Sequence, residues 1–209
     1  MKYLFIGAHA DDIEIGCGGT ILKLYKKNKI TNYIATDSEY YDENGKIIRS
    51  SKDAFNDISR AYKNKKISNI FGKLKVHYLF NNEELRRELI KINNDIKPEI
   101  VFIPWKYDPH PDHQNLSNAC QVVFRNVKNL IMYRSNSYFT KESFNKNFFI
   151  DISKSFYSKI KLIKSFKSEM KRTNYSWIKE IQNDNVQNGY QIKTKYAEAF
   201  EIIKISNLI

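Results

Sequence analysis

The sequence predicts an α/β fold: a mostly parallel, Rossmann-like sheet with helices on both faces and a C-terminal extension closing a site at one edge. Three observations lead there. Short, β-prone apolar runs alternate with longer segments of helical spacing, the pattern of strand–helix–strand units. Two histidine-bearing turns, His9-Ala10-Asp11-Asp12 and His110-Pro111-Asp112-His113, each follow closely on such a run, and the carboxyl ends of parallel strands are where sheets of this kind bind ligands. Finally, 209 residues with 42% hydrophobic content can fill one sizeable core, so one domain over 1–209 is expected.

In chain order, residues 3–6 form the first strand and 20–29 a helix with Ile21, Leu22, Leu24 and Tyr25 inward. Residues 32–36 are a second strand, ending in the polar turn Asp37-Ser38-Glu39. Asn44-Gly45 marks a turn, and 48–64 shows helical spacing through Ala54, Phe55, Ile58 and Tyr62. Residues 76–80 read as the third strand, 83–94 as a helix carrying Leu85, Leu89, Ile90 and Ile92, and 99–104 as a buried fourth strand. A helix over 115–125 and a strand over 130–134 follow. The last third holds an extended aromatic segment at 144–151, an amphipathic helix over 154–170, and strand-like residues at 196–205. Between these, the polar stretch 174–194 offers Trp177 and Ile181 as helical anchors. Tyr138-Phe139 and Phe148-Phe149 are read as core. No internal repeat or Pro/Gly/Ser linker divides the chain.

The formal charge is +12, from 35 Lys+Arg against 23 Asp+Glu. The lysines are dispersed among Asn and Ile along the chain, which describes a solvated basic surface rather than a nucleic-acid interface. A basic field still attracts acidic small molecules. Two cysteines, Cys17 and Cys120, are too few for a disulfide framework. Met1-Lys2-Tyr3 leads straight into the first strand without a leader, and no apolar run is long enough to span a bilayer, so the expected location is cytoplasmic.

An imidazole and two adjacent carboxylates in one tight turn cannot all point the same way. One acid of the Asp11-Asp12 pair is therefore free to bind a metal while the other faces a substrate. Such a turn supplies two metal ligands at most, and a catalytic zinc takes three from the protein plus an open position. The third is available in Asp108-Pro109-His110-Pro111-Asp112-His113, and three of the chain's four histidines lie in these two turns. Two imidazoles and a carboxylate also suit ferrous iron, so Zn2+ and Fe2+ both fit. His77 has no acidic neighbour and is read as a hydrogen-bonded structural residue.

With these motifs the chain resembles the PIG-L/LmbE family of zinc-dependent sugar N-deacetylases. The likeness rests on His9-Ala10-Asp11-Asp12 with Gly16-Cys17-Gly18-Gly19-Thr20, and on His110-Pro111-Asp112-His113. It extends to Thr36-Asp37-Ser38-Glu39, Arg49, Phe149-Ile150-Asp151-Ile152 and Tyr196-Ala197-Glu198-Ala199-Phe200. The resemblance implies a hydrolase that removes the acetyl group from an N-acetylated amino sugar or glycoconjugate. It implies His9, Asp12 and His113 as metal ligands and Asp11 as general base. His110 would stabilise the tetrahedral intermediate or protonate the leaving amine, with Asp112 orienting it. Glu39 and Arg49 are candidate substrate contacts, because a hydroxyl-rich ring calls for carboxylate and guanidinium partners.

The chain departs from the family pattern at Ala10, where Pro is usual, and at Ile13, where Glu is common. Phe166-Lys167-Ser168-Glu169 replaces His-x-Ser-Gln, and Tyr133-Arg134-Ser135 replaces Tyr-Glu-Ser. The exchange of an acid for Arg134 suggests an anionic small-molecule substrate. Two alternatives stand beside this reading: a zinc amidase acting on a non-sugar thiol conjugate, and a catalytically silent sugar-binding relative.

Overall fold

The structure is a computed structural model and describes residues 1–206. In chain order its elements are β1 (Lys2–Gly7), α1 (Asp12–Leu24), β2 (Lys29–Thr36), a small hairpin of β3 (Tyr40–Tyr41) and β4 (Ile47–Arg49), α2 (Ser51–Ala61), β5 (Ile67–Leu74), α3 (Glu83–Ile96) and β6 (Ile100–Pro104). There follow α4 (Pro111–Val123), β7 (Asn129–Tyr133), β8 (Phe148–Asp151), α5 (Phe156–Ile163), α6 (Lys167–Arg172), α7 (Ser176–Gln191) and β9 (Ala197–Ile205).

Seven strands form one sheet in the order β5-β2-β1-β6-β7-β9-β8. The first five are parallel, while β9 pairs antiparallel with both β7 and β8. The expected α/β class is thus the observed one. The chain steps outward from β1 to β2 to β5 and then returns to place β6 on the other side of β1. The strand order reverses between β1 and β6, and the crevice beyond their carboxyl ends is the binding position of a doubly wound sheet.

Strand alternation sorts the core into two layers. Leu4 and Ile6 belong to the cluster with Leu85 and Leu89 of α3 and Leu116 and Ala119 of α4. Tyr3 and Phe5 belong to the other, with Ile13, Cys17 and Ile21 of α1 and Ile163 of α5. Residues covered on both faces read as continuous apolar runs, which is why β1 and β6 were visible in the sequence.

Helix α1 is glycine-rich because it packs close. A Cβ at Gly16 would lie 2.2 Å from the Tyr133 ring, and one at Gly19 would lie 2.7 Å from Ile152. The same helix is tied to the C-terminal extension by Glu198. That carboxylate accepts the backbone N–H groups of Gly19 and Thr20 at 2.8 Å each and the Thr20 hydroxyl at 2.6 Å, and pairs with Lys159 Nζ at 2.6 Å.

Three expectations are corrected. The third long strand is Ile67–Leu74, and 76–80 is irregular. β5 is an edge strand whose exposed Ser68 and half-buried Asn69 hid it, whereas the apolar run after it lines the crevice with only Leu79 buried. The helix expected over 154–170 is two helices, broken at Ser165 and Phe166. Residues 174–194 do contain a helix at the anchors Trp177 and Ile181, the 16-residue α7, whose buried face includes Asn185 and Asn188 and therefore looked polar. Tyr138 and Phe139 are not core: they are 63% and 99% exposed.

Candidate active site

Two strand-to-helix turns build the site. After β1 the chain turns sharply at Asp11, whose φ of 127° is a conformation that L-residues seldom adopt. That twist separates two neighbouring carboxylates. Asp12 turns back into its own loop, where Oδ2 accepts the N–H groups of Ala8 (3.1 Å) and His9 (2.8 Å) and Oδ1 accepts the Ser135 hydroxyl (3.1 Å). Asp11 instead faces Arg49, whose Nη1 donates to Asp11 Oδ2 at 3.1 Å and to the Ala10 carbonyl at 2.8 Å. After β6, His110 caps α4: its Nδ1 accepts the Asp112 N–H at 3.2 Å, and Pro111 opens the helix where a missing N–H costs nothing.

The sheet brings the two turns together. His9 Nδ1 lies 3.2 Å from His113 Nε2, Asp12 Oδ2 lies 3.2 Å from His113 Nε2, and His9 Nδ1 lies 3.6 Å from Asp12 Oδ2. Ligand atoms about 2.0–2.1 Å from a tetrahedral ion are roughly 3.3–3.4 Å apart, so this triangle has the right size for one. The remaining nitrogen of each ring faces an acid. His9 Nε2 donates to Asp112 Oδ2 at 3.0 Å, and His113 Nδ1 lies 3.1 Å from Asp108 Oδ2. With those protons committed, two ring lone pairs and a carboxylate oxygen point at a common place, a repulsive arrangement unless a cation sits among them. The donor set therefore fits a divalent metal, with outer carboxylates fixing both tautomers.

The electrostatics agree. Burial would push Asp12 up, yet His113 and His9 hold it below the ordinary carboxylate range. Burial favours a neutral His113, yet Asp12 and Asp108 push it well above its usual value; surroundings that attract a proton there also attract a metal ion. Asp11 is raised well above a normal carboxyl, chiefly by burial and against the pull of Arg49. Burial, with His9 and His113 alongside, brings His110 down to about 4. The Asp112 N–H on Nδ1 leaves the His110 proton on Nε2.

A cavity of about 250 Å³ contains His9, Asp11, Asp12, Arg49, His110 and His113. Asp112 corrects one expectation: its carboxylate goes to His9, not to His110, because His110 already receives the Asp112 backbone N–H as the helix cap. Arg49 lines the cavity but is 2% exposed, with its Nη1 committed to Asp11 and the Ala10 carbonyl. Glu39 is not brought to this cavity; it accepts the Tyr41 hydroxyl at 2.6 Å and the Ser51 N–H at 3.3 Å.

The structure adds residues that the sequence reading left out. His77 is one: its ring stacks on His110 with centroids 5.5 Å apart and its N–H donates to Asp112 at 2.8 Å. Asp108 is another, given no role in the sequence reading although it heads the Asp108–His113 run. From the C-terminal extension come Glu169, Arg172 and Trp177, with Tyr40 OH donating to Glu169 at 2.5 Å. Glu169 lay in the Phe166–Glu169 stretch that departs from the family motif and Trp177 was a helical anchor, but only the packing of α6 and α7 brings them and Arg172 to the site.

The sequence profile of the GlcNAc-PI de-N-acetylase family, PIG-L, matches residues 4–124, more than half of the chain. This chain belongs to the PIG-L family. Among its relatives is the diacetylchitobiose deacetylase of Thermococcus kodakarensis, 32% identical over 125 residues, which are 54% of this chain and 45% of that protein. The match thus spans less than half of that relative's length. The N,N'-diacetylchitobiose deacetylase of Pyrococcus horikoshii has a similar fold, with a TM-score of 0.82 at 21% identity over 97% of this chain and 83% of that one. So has the 4-carboxy-2-hydroxymuconate hydratase GalB of Pseudomonas putida KT2440, with a TM-score of 0.77 at 14% identity over 100% of both chains. One fold therefore serves different chemistries, and the activity of this PIG-L member has to be argued from its site. Among its described residues, no helix is long and apolar enough to cross a membrane.

Proposed function

We propose that residues 1–209 are a single metal-dependent deacetylase domain that hydrolyses the N-acetyl group of an amino sugar or glycoconjugate. One observation carries this reading: His9, Asp12 and His113 offer three converging donors at metal-ligand spacing, while the neighbouring acid, Asp11, is held out of the triangle by its own backbone and by Arg49. Those three residues would hold Zn2+, with Fe2+ the competing occupant of the same donor set. A divalent ion there acidifies a water molecule and polarises the acetyl carbonyl.

The chain's own groups do the rest. Asp11 takes the proton of the attacking water. His110 presents Nε2–H to the oxygen that becomes negative in the transition state. Asp11, now protonated, is the group left to return that proton to the departing amine, so the carboxyl serves first as base and then as acid. Asp112 and Asp108 keep His9 and His113 in the tautomers that face the ion. The C-terminal extension adds Glu169, Arg172 and Trp177 to the cavity wall.

The test is acetate release from a panel of N-acetyl sugars by metal-loaded protein, with elemental analysis of the purified protein. Release that depends on zinc or iron and stops on chelation is the expected result. Stoichiometric metal with no acetate from any sugar would overturn the reading and leave the fold with another task.

A further inference from the structure

Positive charge collects at the end of the sheet away from the histidines. Lys2 and Lys29 open β1 and β2, Lys26 and Lys27 follow α1, and Lys65 and Lys66 follow α2; together they line a groove of about 650 Å³. Among the described residues of its wall, Asp95 is the one acid. The lysine ion pairs among the described residues belong to Lys75, Lys146 and Lys159, so these six ammonium groups have no carboxylate partner there. We propose that this groove is a binding site for a linear polyphosphate, a chain of linked phosphates held through its oxygens alone. Such a site is independent of the deacetylase chemistry, which lies at the other end of β1.

Ordinary structural uses of lysine do not account for the cluster. A cation at a helix carboxyl end offsets the dipole, and Lys65 does this for α2 by donating to the Ala61 carbonyl at 3.1 Å. Lys2 and Lys29 instead begin strands, and they are register partners in the parallel β1–β2 pair. Register partners project from the same side of a sheet, so two ammonium groups are set side by side, which costs stability unless an anion lies between them. The nearby acid, Glu99, is turned to the Lys2 backbone N–H, which it accepts at 2.8 Å. Lys65 feels the crowding too: burial and the neighbouring Lys161 both lower its pKa.

The wall selects the occupant. All six cations are lysines, compact point charges without the planar fork by which arginine grips one carboxylate or phosphate at two atoms. Point charges spread along a groove match charge repeated along a ligand. Single-stranded nucleic acid also repeats its charge, but sites for it stack bases on aromatic platforms, and Tyr25 is the one aromatic ring in the described wall. A bilayer is flat and meets only the rim of a concave site. A polyphosphate carries charge on every linked unit, has no base to stack and is thin enough to enter.

The experiment reads fluorescence anisotropy of end-labelled sodium polyphosphate and of end-labelled single-stranded RNA of equal charge on the full chain, with co-sedimentation on phosphatidylserine–phosphatidylcholine vesicles alongside. Polyphosphate should bind at least about tenfold more tightly than the RNA. Lys26→Gln combined with Lys29→Gln should weaken it about tenfold or more and reduce the slope of log K against log salt by roughly 1–2. Lys141→Gln combined with Lys179→Gln, at exposed lysines outside the groove, removes the same net charge and should leave binding within about twofold. Chelated and metal-loaded protein should bind alike, which separates the groove from capture of phosphate at the histidines. The site is overturned by absent binding, by equal loss in the two double variants, or by binding that needs the metal. RNA or vesicles bound as tightly as polyphosphate, with the same dependence on Lys26 and Lys29, would give the groove to that partner and overturn the polyphosphate.

Discussion

Asp11 and Asp12 are adjacent, chemically identical and assigned opposite tasks, and the difference lies in one backbone angle. Asp12 begins α1 and folds back on the N–H groups of Ala8 and His9; Asp11, at φ 127°, turns away towards Arg49. Asp11→Asn is therefore expected to keep its metal and to lose activity by ~10²–10⁴-fold, the usual worth of a general base. His113→Ala is expected to lose both, and equal metal loss in the two variants would contradict the division. The acids behind the histidines are open to the same kind of test. Asp108→Ala, which touches no predicted metal-binding atom, should weaken metal binding by roughly 10–100-fold in a competitive chelator titration. The residue types of this site were plain in the two histidine motifs. Their partners were not, because Asp112 meets His9 and Asp108 meets His113 by directions set in the fold and not by spacing along the chain.

At the scale of elements, the site stays intact only if α1 is fixed against the C-terminal extension. The fixing point is the buried Lys159–Glu198 pair, with side chains 1% and 2% exposed. Removing one member leaves the other charge buried without its counterion, so Glu198→Gln should cost about 3–5 kcal/mol by urea unfolding. Lys159→Met together with Glu198→Gln should be less damaging than Glu198→Gln alone; a double variant worse than the sum of the singles would refute this account. A smaller effect is expected at α2, where Ser50 and Asp53 form a reciprocal cap. Ser50→Ala should cost about 1 kcal/mol and leave metal content unchanged. The elements that were legible in sequence are those whose burial follows a simple apolar period, as in β1, β6 and α3. β5 was misread because it is an exposed edge, and α7 was legible only through Trp177 and Ile181 because its buried face includes asparagines satisfied by Lys159 and Lys146.

At the scale of the whole molecule, the net charge of +12 is not gathered around the histidines. Lys2, Lys26, Lys27, Lys29, Lys65 and Lys66 line a groove of about 650 Å³ by the starts of β1, β2 and β5, the end of the sheet away from the histidines. Dispersed in sequence, these lysines are brought together by parallel strands that all begin at one edge. A metal that bridges the β1 and β6 turns should also stabilise the entire fold. At a free concentration ~100 times Kd the linkage amounts to ~2.7 kcal/mol, which for a chain of this size raises Tm by roughly 5–10 °C. Chelation should lower the melting temperature by that amount and re-addition of metal restore it. Asp11→Asn should show the same shift and His113→Ala almost none; a melting curve indifferent to chelator in the native protein would count against a resident ion.

By itself, the sequence determined the α/β class, the two turns that carry the chemistry and the residue types within them. These are written in local order: apolar period, turn composition and the crowding of imidazole and carboxylate into a few positions. The tertiary structure decided which acid serves which histidine, that His77 belongs to the site, that Arg49 holds Asp11 and that Glu39 stands aside. It also decided that lysines scattered along the chain gather in one groove. Each of these depends on where side chains distant in sequence meet across the sheet, and a contact of that kind leaves no period or spacing in the chain that makes it.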